Sequence, residues 1–197
     1  MAIKTFNDFN QVKEYAEATD LPRGGYALRI RSAEIKENSI GQYVEIFFDI
    51  AEGEYKSFFE NNYQNQQKIP PKWLGTYFLS VPTGDGTEGD EWTKRKFKTF
   101  VTSLERSNPG YHFDWDEQKF AGLMIGGLFN MREYRKSDGT IGQIANCGRI
   151  CSVDTVRRGN YVLPKDKVLT SAYVNPASAP VMGDRFVNVE EDVELPF

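Results

Sequence analysis

Two sets of residues in this chain can do chemistry, and both would do it by binding. The first is a set of aromatic rings interleaved with cations. Arg29 and Arg31 alternate with Leu28 and Ile30, and Lys36 follows them. Tyr43 and Phe47 alternate with Val44, Ile46, Phe48 and Ile50. Tyr55, Lys56 and Phe58 come next, then Trp73 beside Lys72, and later Arg132, Tyr134, Arg135, Lys136 and Arg149. Rings of this kind stack on flat bases at ~1–3 kcal/mol each, while cations meet phosphates. The second set is the terminal run, where Glu190, Glu191, Asp192 and Glu194 precede Leu195, Pro196 and Phe197. An apolar tip on an acidic tail suits a basic-rimmed apolar pocket on a partner protein: Phe197 fills the pocket and the acids steer the encounter.

Catalytic chemistry has much less to work with. His112 is the single histidine and sits in YHFDW, with no nucleophile motif nearby. Cys147 and Cys151 are the two cysteines. Four apart on one strand, their Cα atoms would stand ~13 Å apart at ~3.3 Å per residue, too far for a disulfide. They read as buried reduced thiols. Gly84, Gly86 and Gly89 form a formal G-x-G-x-x-G, but Asp85, Glu88, Asp90 and Glu91 surround them. A phosphate cradle wants bare amides and no negative charge, so the segment reads as a mobile loop. Nor does it carry the ladder of a calcium loop. A metal-dependent nuclease needs a clustered acid set, and the acids here are scattered. No cofactor and no metal are expected.

These residues need elements to hold them. Residues 6–18 have near-helical spacing of Phe6, Phe9, Val12, Tyr15 and Ala16. Strands are expected over 26–37, 42–50 and 54–59, joined by short turns. A long insertion then runs over about 60–122. It carries Trp73, which reads more readily as a plug seating the insertion than as a stacking platform. It also carries a helix over about 93–106, with Phe97, Phe100, Val101 and Leu104 on one stripe. Lys94, Arg95, Lys96 and Lys98 crowd the start of that helix, where cations oppose the dipole. A short helix over 116–121 follows. Strands over 123–135 and 141–154, around the Asp138–Gly139 turn, close the pattern. The order β-β-β, helix-containing insertion, β-β is that of an OB-fold, a mainly β, five-stranded Greek-key barrel. In that fold the second and third strands, with the first and last hairpins, bind oligonucleotides. Residues 1–169 read as this domain and 170–197 as a flexible Ser/Ala/Pro linker with an acidic tip.

Charge sharpens the picture. The chain has 197 residues, with 24 basic and 28 acidic side chains and a net charge of −4. Five of those acids and one base fall in residues 170–197, which leaves 23 of each before it. The body is neutral and the excess sits in the terminal block, as in an interaction tail. Nothing approaches the ~20 apolar residues of a membrane helix, and MAIKTFNDFNQ has no apolar signal region. A soluble, cytoplasmic protein is expected.

The quoted segments also carry a resemblance. EEDVELPF resembles the C-terminal tip of bacterial single-stranded DNA-binding proteins, departing from it in Glu194 and in having fewer consecutive aspartates. LPRGGYALRI, EIFFDIAEGEYKSFF, KWLGTY, FKTFVTSLERSNPGYHFDWD and GGLFNMREYRKSDGTIG are similar to a family of bacteriophage and integrative-element proteins thought to bind single-stranded DNA. The resemblance implies non-catalytic, largely sequence-independent DNA binding through the barrel. It also implies recruitment of replication or recombination proteins through the tip. The alternatives are an adaptor that has lost DNA binding and, more remotely, a nuclease. Oligomeric state is left open, a homo-oligomer included.

Overall fold

The structure is a computed structural model that describes Asn7 and residues 20–66 and 70–169. The helix expected over 6–18 and the tail over 170–197 lie outside the described residues. Five strands, β1 (Gly24–Asn38), β2 (Gly41–Ile50), β3 (Thr76–Ser80), β4 (Met124–Arg135) and β5 (Ile141–Cys151), form one sheet in the order β3-β2-β1-β4-β5. Every ladder in it is antiparallel. Among the described residues three helices accompany it, α1 (Phe58–Asn65), α2 (Glu88–Ser107) and α3 (Val153–Arg158), with a short 3-10 turn at Glu117–Phe120. No helix among the described residues is long and apolar enough to cross a membrane.

Alternation decides which face is core. Leu28 and Ile30 on β1, and Val44, Ile46, Phe48 and Ile50 on β2, are all buried. Ile125 and Phe129 on β4 and Ile150 on β5 join them. The stripe on α2 closes over this face, with Phe100, Val101 and Leu104 buried and Phe97 packed at its margin. Tyr77 of β3 stacks on Phe100, centroids 6.3 Å apart. β3 and β5 share no ladder, so the sheet is open where a closed barrel was expected. Helix α2 packs against β3, β4 and β5 and so covers the gap between the edges.

The third strand is the main correction. Residues 54–59, expected as a strand, make a turn and the start of α1, and the strand is instead TYFLS at 76–80. The cause is Asp49, buried at the end of β2. Its Oδ1 accepts the amides of Ile50 and Phe59 at 2.8 and 2.9 Å, and its Oδ2 accepts that of Glu60 at 3.2 Å. The N-terminal amides of a helix need an acceptor, which an adjacent cap residue usually supplies. Ser57 stands in that place in the left-handed region, φ 61, and makes no side-chain cap bond. A carboxylate from the neighbouring strand does the work instead.

The Gly84–Gly89 segment also differs from expectation. Asp90 is buried, accepts the amides of Thr83 and Gly84 at 2.8 and 3.1 Å, and pairs with Lys94 at 2.9 Å. Thr87 Oγ1 accepts the Asp90 amide at 3.2 Å, and Asp85 accepts the amide and hydroxyl of Thr87. Of the acids around these glycines, Asp85 and Asp90 belong to the hydrogen-bonded cap of α2. Lys94, foremost, holds the Asp90 carboxyl down at about 2, burial opposing and the two amides assisting.

Candidate nucleic-acid interface

The face of β1, β2 and β3 turned away from the core carries the expected rings. Register places Tyr43 opposite Lys36 and Ser80, and Phe47 opposite Ser32 and Thr76. Phe78 of β3 shares that face, and its ring lies 5.9 Å from that of Tyr43, tilted by 57°. Tyr43 and Phe47 are half-buried and Phe78 is exposed. Phe78 is absent from the sequence-level candidates, since 76–80 read there as insertion. The inward partners Tyr77 and Leu79 were its signal, because alternation puts the residue between them outward.

The cations of this end differ in how they are held. A bulge between Ile30 and Ser32 inserts Arg31 into β1. Arg31 pairs with Glu60 of α1, lies 3.8 Å from Asp49, and sits 4.8 Å over the Trp73 ring. The Trp73 indole N–H donates to the carbonyls of Gly75 and Phe48 at 3.0 and 3.2 Å. Tyr63 lies 5.7 Å from the same ring. Trp73 therefore seats its segment on the sheet, as the plug reading expected. Lys36 pairs with Glu45 across the hairpin, and that hydrogen bond, foremost, raises the lysine above its ordinary range. Arg29 is exposed, makes one long bond to the Gly122 carbonyl at 3.4 Å, and faces an open depression shared with Lys56.

Other candidates lie elsewhere. Tyr55 and Phe58 turn inward and pack on the core margin, Tyr55 edge-on to Tyr26 at 5.9 Å. Arg132, Tyr134, Arg135 and Lys136 occupy the far end of the sheet. β4 leaves β1 at the Gly24–Phe129 pair and runs on beyond it, while the Lys36 hairpin projects from the opposite end. The Tyr134 ring lies against Gly142, where any added Cβ would meet it at 2.7 Å. Arg149, exposed on β5, is separated from β2 by β1 and β4. Lys94 is committed to Asp90 and Glu91, and Lys96 lies 3.2 Å over the Trp92 ring. Glu190, Glu191, Asp192, Glu194, Leu195, Pro196 and Phe197 lie outside the described residues.

Both cysteines are free thiols, Cys147 buried and Cys151 half-buried. Burial pushes both up, Cys151 to about 11, which leaves them protonated and unreactive at neutral pH. Among the described residues no three His, Cys, Asp or Glu side chains cluster closely enough to hold a metal ion. No protein-family model matches the chain, and no curated protein is similar enough to count as a relative.

Proposed function

We propose that this protein binds single-stranded DNA without strong sequence preference, on the outer face of β2 and β3. The observation that carries the reading is the strip formed by Tyr43, Phe47 and Phe78. Three rings stand on adjacent strands of a rigid sheet, on the side away from the core. Rings on such a surface are sequence-tolerant platforms, because every base has a π-face. The strand order, with a helix between β3 and β4, supports an OB-type arrangement, whose second and third strands commonly serve this purpose. The acidic tip over 190–197 is read as the recruiting element for replication or recombination proteins, on its sequence alone.

A second reading is favoured by one observation. Lys36 and Arg31 are paired with Glu45 and Glu60, which removes much of the positive charge from this face. An adaptor that binds protein rather than DNA would tolerate that pairing. Titration of the full chain with oligo-dT, followed by tryptophan quenching at low salt, separates the two. Saturable quenching that weakens as salt rises is expected. Absence of quenching together with absence of any oligo-dT affinity at low salt would sink the DNA reading and leave the adaptor. Removing residues 189–197 is expected to keep or tighten oligo-dT binding, since acids compete with phosphates for cations. Loss of binding on that deletion would contradict the role given to the tip.

A further inference from the structure

The depression beside the aromatic strip holds a charge imbalance that the proposed function does not yet use. It is open, encloses about 510 Å³, and is lined by Arg29, Ile30 and Arg31 of β1, by Asp49 and Ile50 of β2, and by Lys56, Ser57 and Gly122 among others. Three carboxylates bear on it, and two of them are paired with a cation other than Arg29 or Lys56. Asp49 accepts three backbone amides. Glu60 takes Arg31. Glu52, whose carboxyl also feels the Arg29 charge, takes Arg157 through two bonds, at 2.6 and 3.3 Å, and that guanidinium, foremost, lowers it. Arg29 and Lys56 remain, and neither has an ion-pair partner among the described residues. Asp49 brings one negative charge to the same depression, so Arg29 and Lys56 leave it with one positive charge in excess.

The backbone around the depression is shaped for it at some cost. Ser57 holds a left-handed φ of 61, which a non-glycine residue adopts only when its surroundings enforce it. Its amide is tied to the Ile50 carbonyl at 2.9 Å. That turn carries Lys56 back beside β1 rather than out along a third strand. The Ser57 hydroxyl, unused by any cap, lines the same wall.

We propose that Arg29 and Lys56 together clamp one anionic phosphate group in this depression. The inference rests on the DNA reading for the source of that phosphate, a backbone group of a bound strand. Asp49, on the depression wall, is two residues from Phe47 along β2, roughly 7 Å at ~3.3 Å per residue. A nucleotide stacked on Phe47 thus has its own or its neighbour's phosphate within reach. Arg29 forks two N–H groups onto the phosphate oxygens, and Lys56, which lines the same depression, adds a point charge.

The test is a salt series of oligo-dT titrations on the full chain, with Arg29→Gln, Lys56→Gln, the double variant and Phe47→Ala. Each lost phosphate contact should flatten the slope of log K against log salt by about 0.7, the single-strand value. The two clamp residues hold one phosphate, so the double variant should flatten it by about 0.7, close to either single change. Phe47→Ala should lower affinity at every salt and leave the slope as it was. A second arm follows the amides of Lys56, Ser57 and Gly122 by NMR as inorganic pyrophosphate is added to the wild-type chain and the double variant. Shifts in the wild type that vanish in the double variant support the clamp, even if oligo-dT does not bind and the DNA reading fails. Oligo-dT binding with an unchanged slope in the double variant overturns the clamp and spares the DNA reading. Absence of pyrophosphate shifts in a wild type that also fails to bind oligo-dT overturns both.

Discussion

The two ends of the sheet carry similar residues and present them differently. At the near end, Tyr43, Phe47 and Phe78 come from two neighbouring strands and lie on one face, with Arg29 and Lys56 beside them. At the far end, Arg132, Tyr134, Arg135 and Lys136 follow one another along a single hairpin arm. Tyr134 lies against Gly142 there, and residues 165–169 run beside β4 through the Arg132–Lys167 bridge. The Glu133 amide donates to the Lys167 carbonyl and the Lys167 amide to the Met131 carbonyl, both at 2.9 Å, and Asp166 accepts the Met131 amide at the same distance. The far end uses its backbone edge to tie down the segment leading to residue 169. The near end leaves a surface of side chains open. Composition alone makes the two ends look alike; strand register separates them.

The comparison can be broken most severely at Gly75. A Cβ there would stand 2.3 Å from the Phe48 carbonyl oxygen and 2.8 Å from the Phe59 ring. Gly75→Ala must push β3 off β2, and should cost about 3 kcal/mol of stability in urea denaturation. Hydrogen exchange should show the loss concentrated in β3 and α1, with β4–β5 protected as before. Uniform loss of protection would mean the two ends are not separable.

Ring removal acts next. Phe47→Ala and Phe78→Ala should each weaken oligo-dT binding by about 1–3 kcal/mol. Tyr134→Ala should change it by well under that. Equal losses at both ends, measured by fluorescence titration, would erase the distinction between them.

The smallest effects concern the α2 cap, which belongs to neither end and serves as a control. Thr87→Ala should cost about 1 kcal/mol of stability and leave oligo-dT affinity unchanged. Asp90 adds a pH dependence. Its folded carboxyl, held at about 2 by Lys94 first and the Thr83 and Gly84 amides after, lies below its unfolded value near ~4. Its contribution is complete above the unfolded value and is lost as pH falls toward 2. Thermal melts of Asp90→Asn should therefore converge with those of the wild type as pH drops through that window, and diverge above it.

Much of this arrangement was legible in the residues. Strict alternation in β2 assigned Val44, Ile46, Phe48 and Ile50 inward, and so Tyr43 and Phe47 outward. The i, i+3, i+4, i+7 stripe of α2 and the Asp138–Gly139 hairpin were equally plain, because each rests on neighbours in sequence. The third strand was not legible, for a physical reason. Tyr55 and Phe58 have the composition of a strand, and α1, rich in Asn and aromatic residues, has little intrinsic helical preference. What decides for helix is Asp49, a residue in another element. Pairing of cations was hidden in the same way. Nothing along the chain says that Glu60 takes Arg31 while Arg29 goes without, and that difference turns a list of bases into a site.

The cross-strand cap also says something about order in time. Helix α1 has no side-chain cap of its own for the Phe59 and Glu60 amides, and an isolated eight-residue helix is unstable in water. Its acceptor exists only once β2 is paired and the Asp49 carboxylate points at the turn. The β1–β2 hairpin, joined by a two-residue connection, forms from local contacts and can precede it. Helix α1 is thus a late element of folding, and the wall of the depression is completed only after the sheet beneath it has formed.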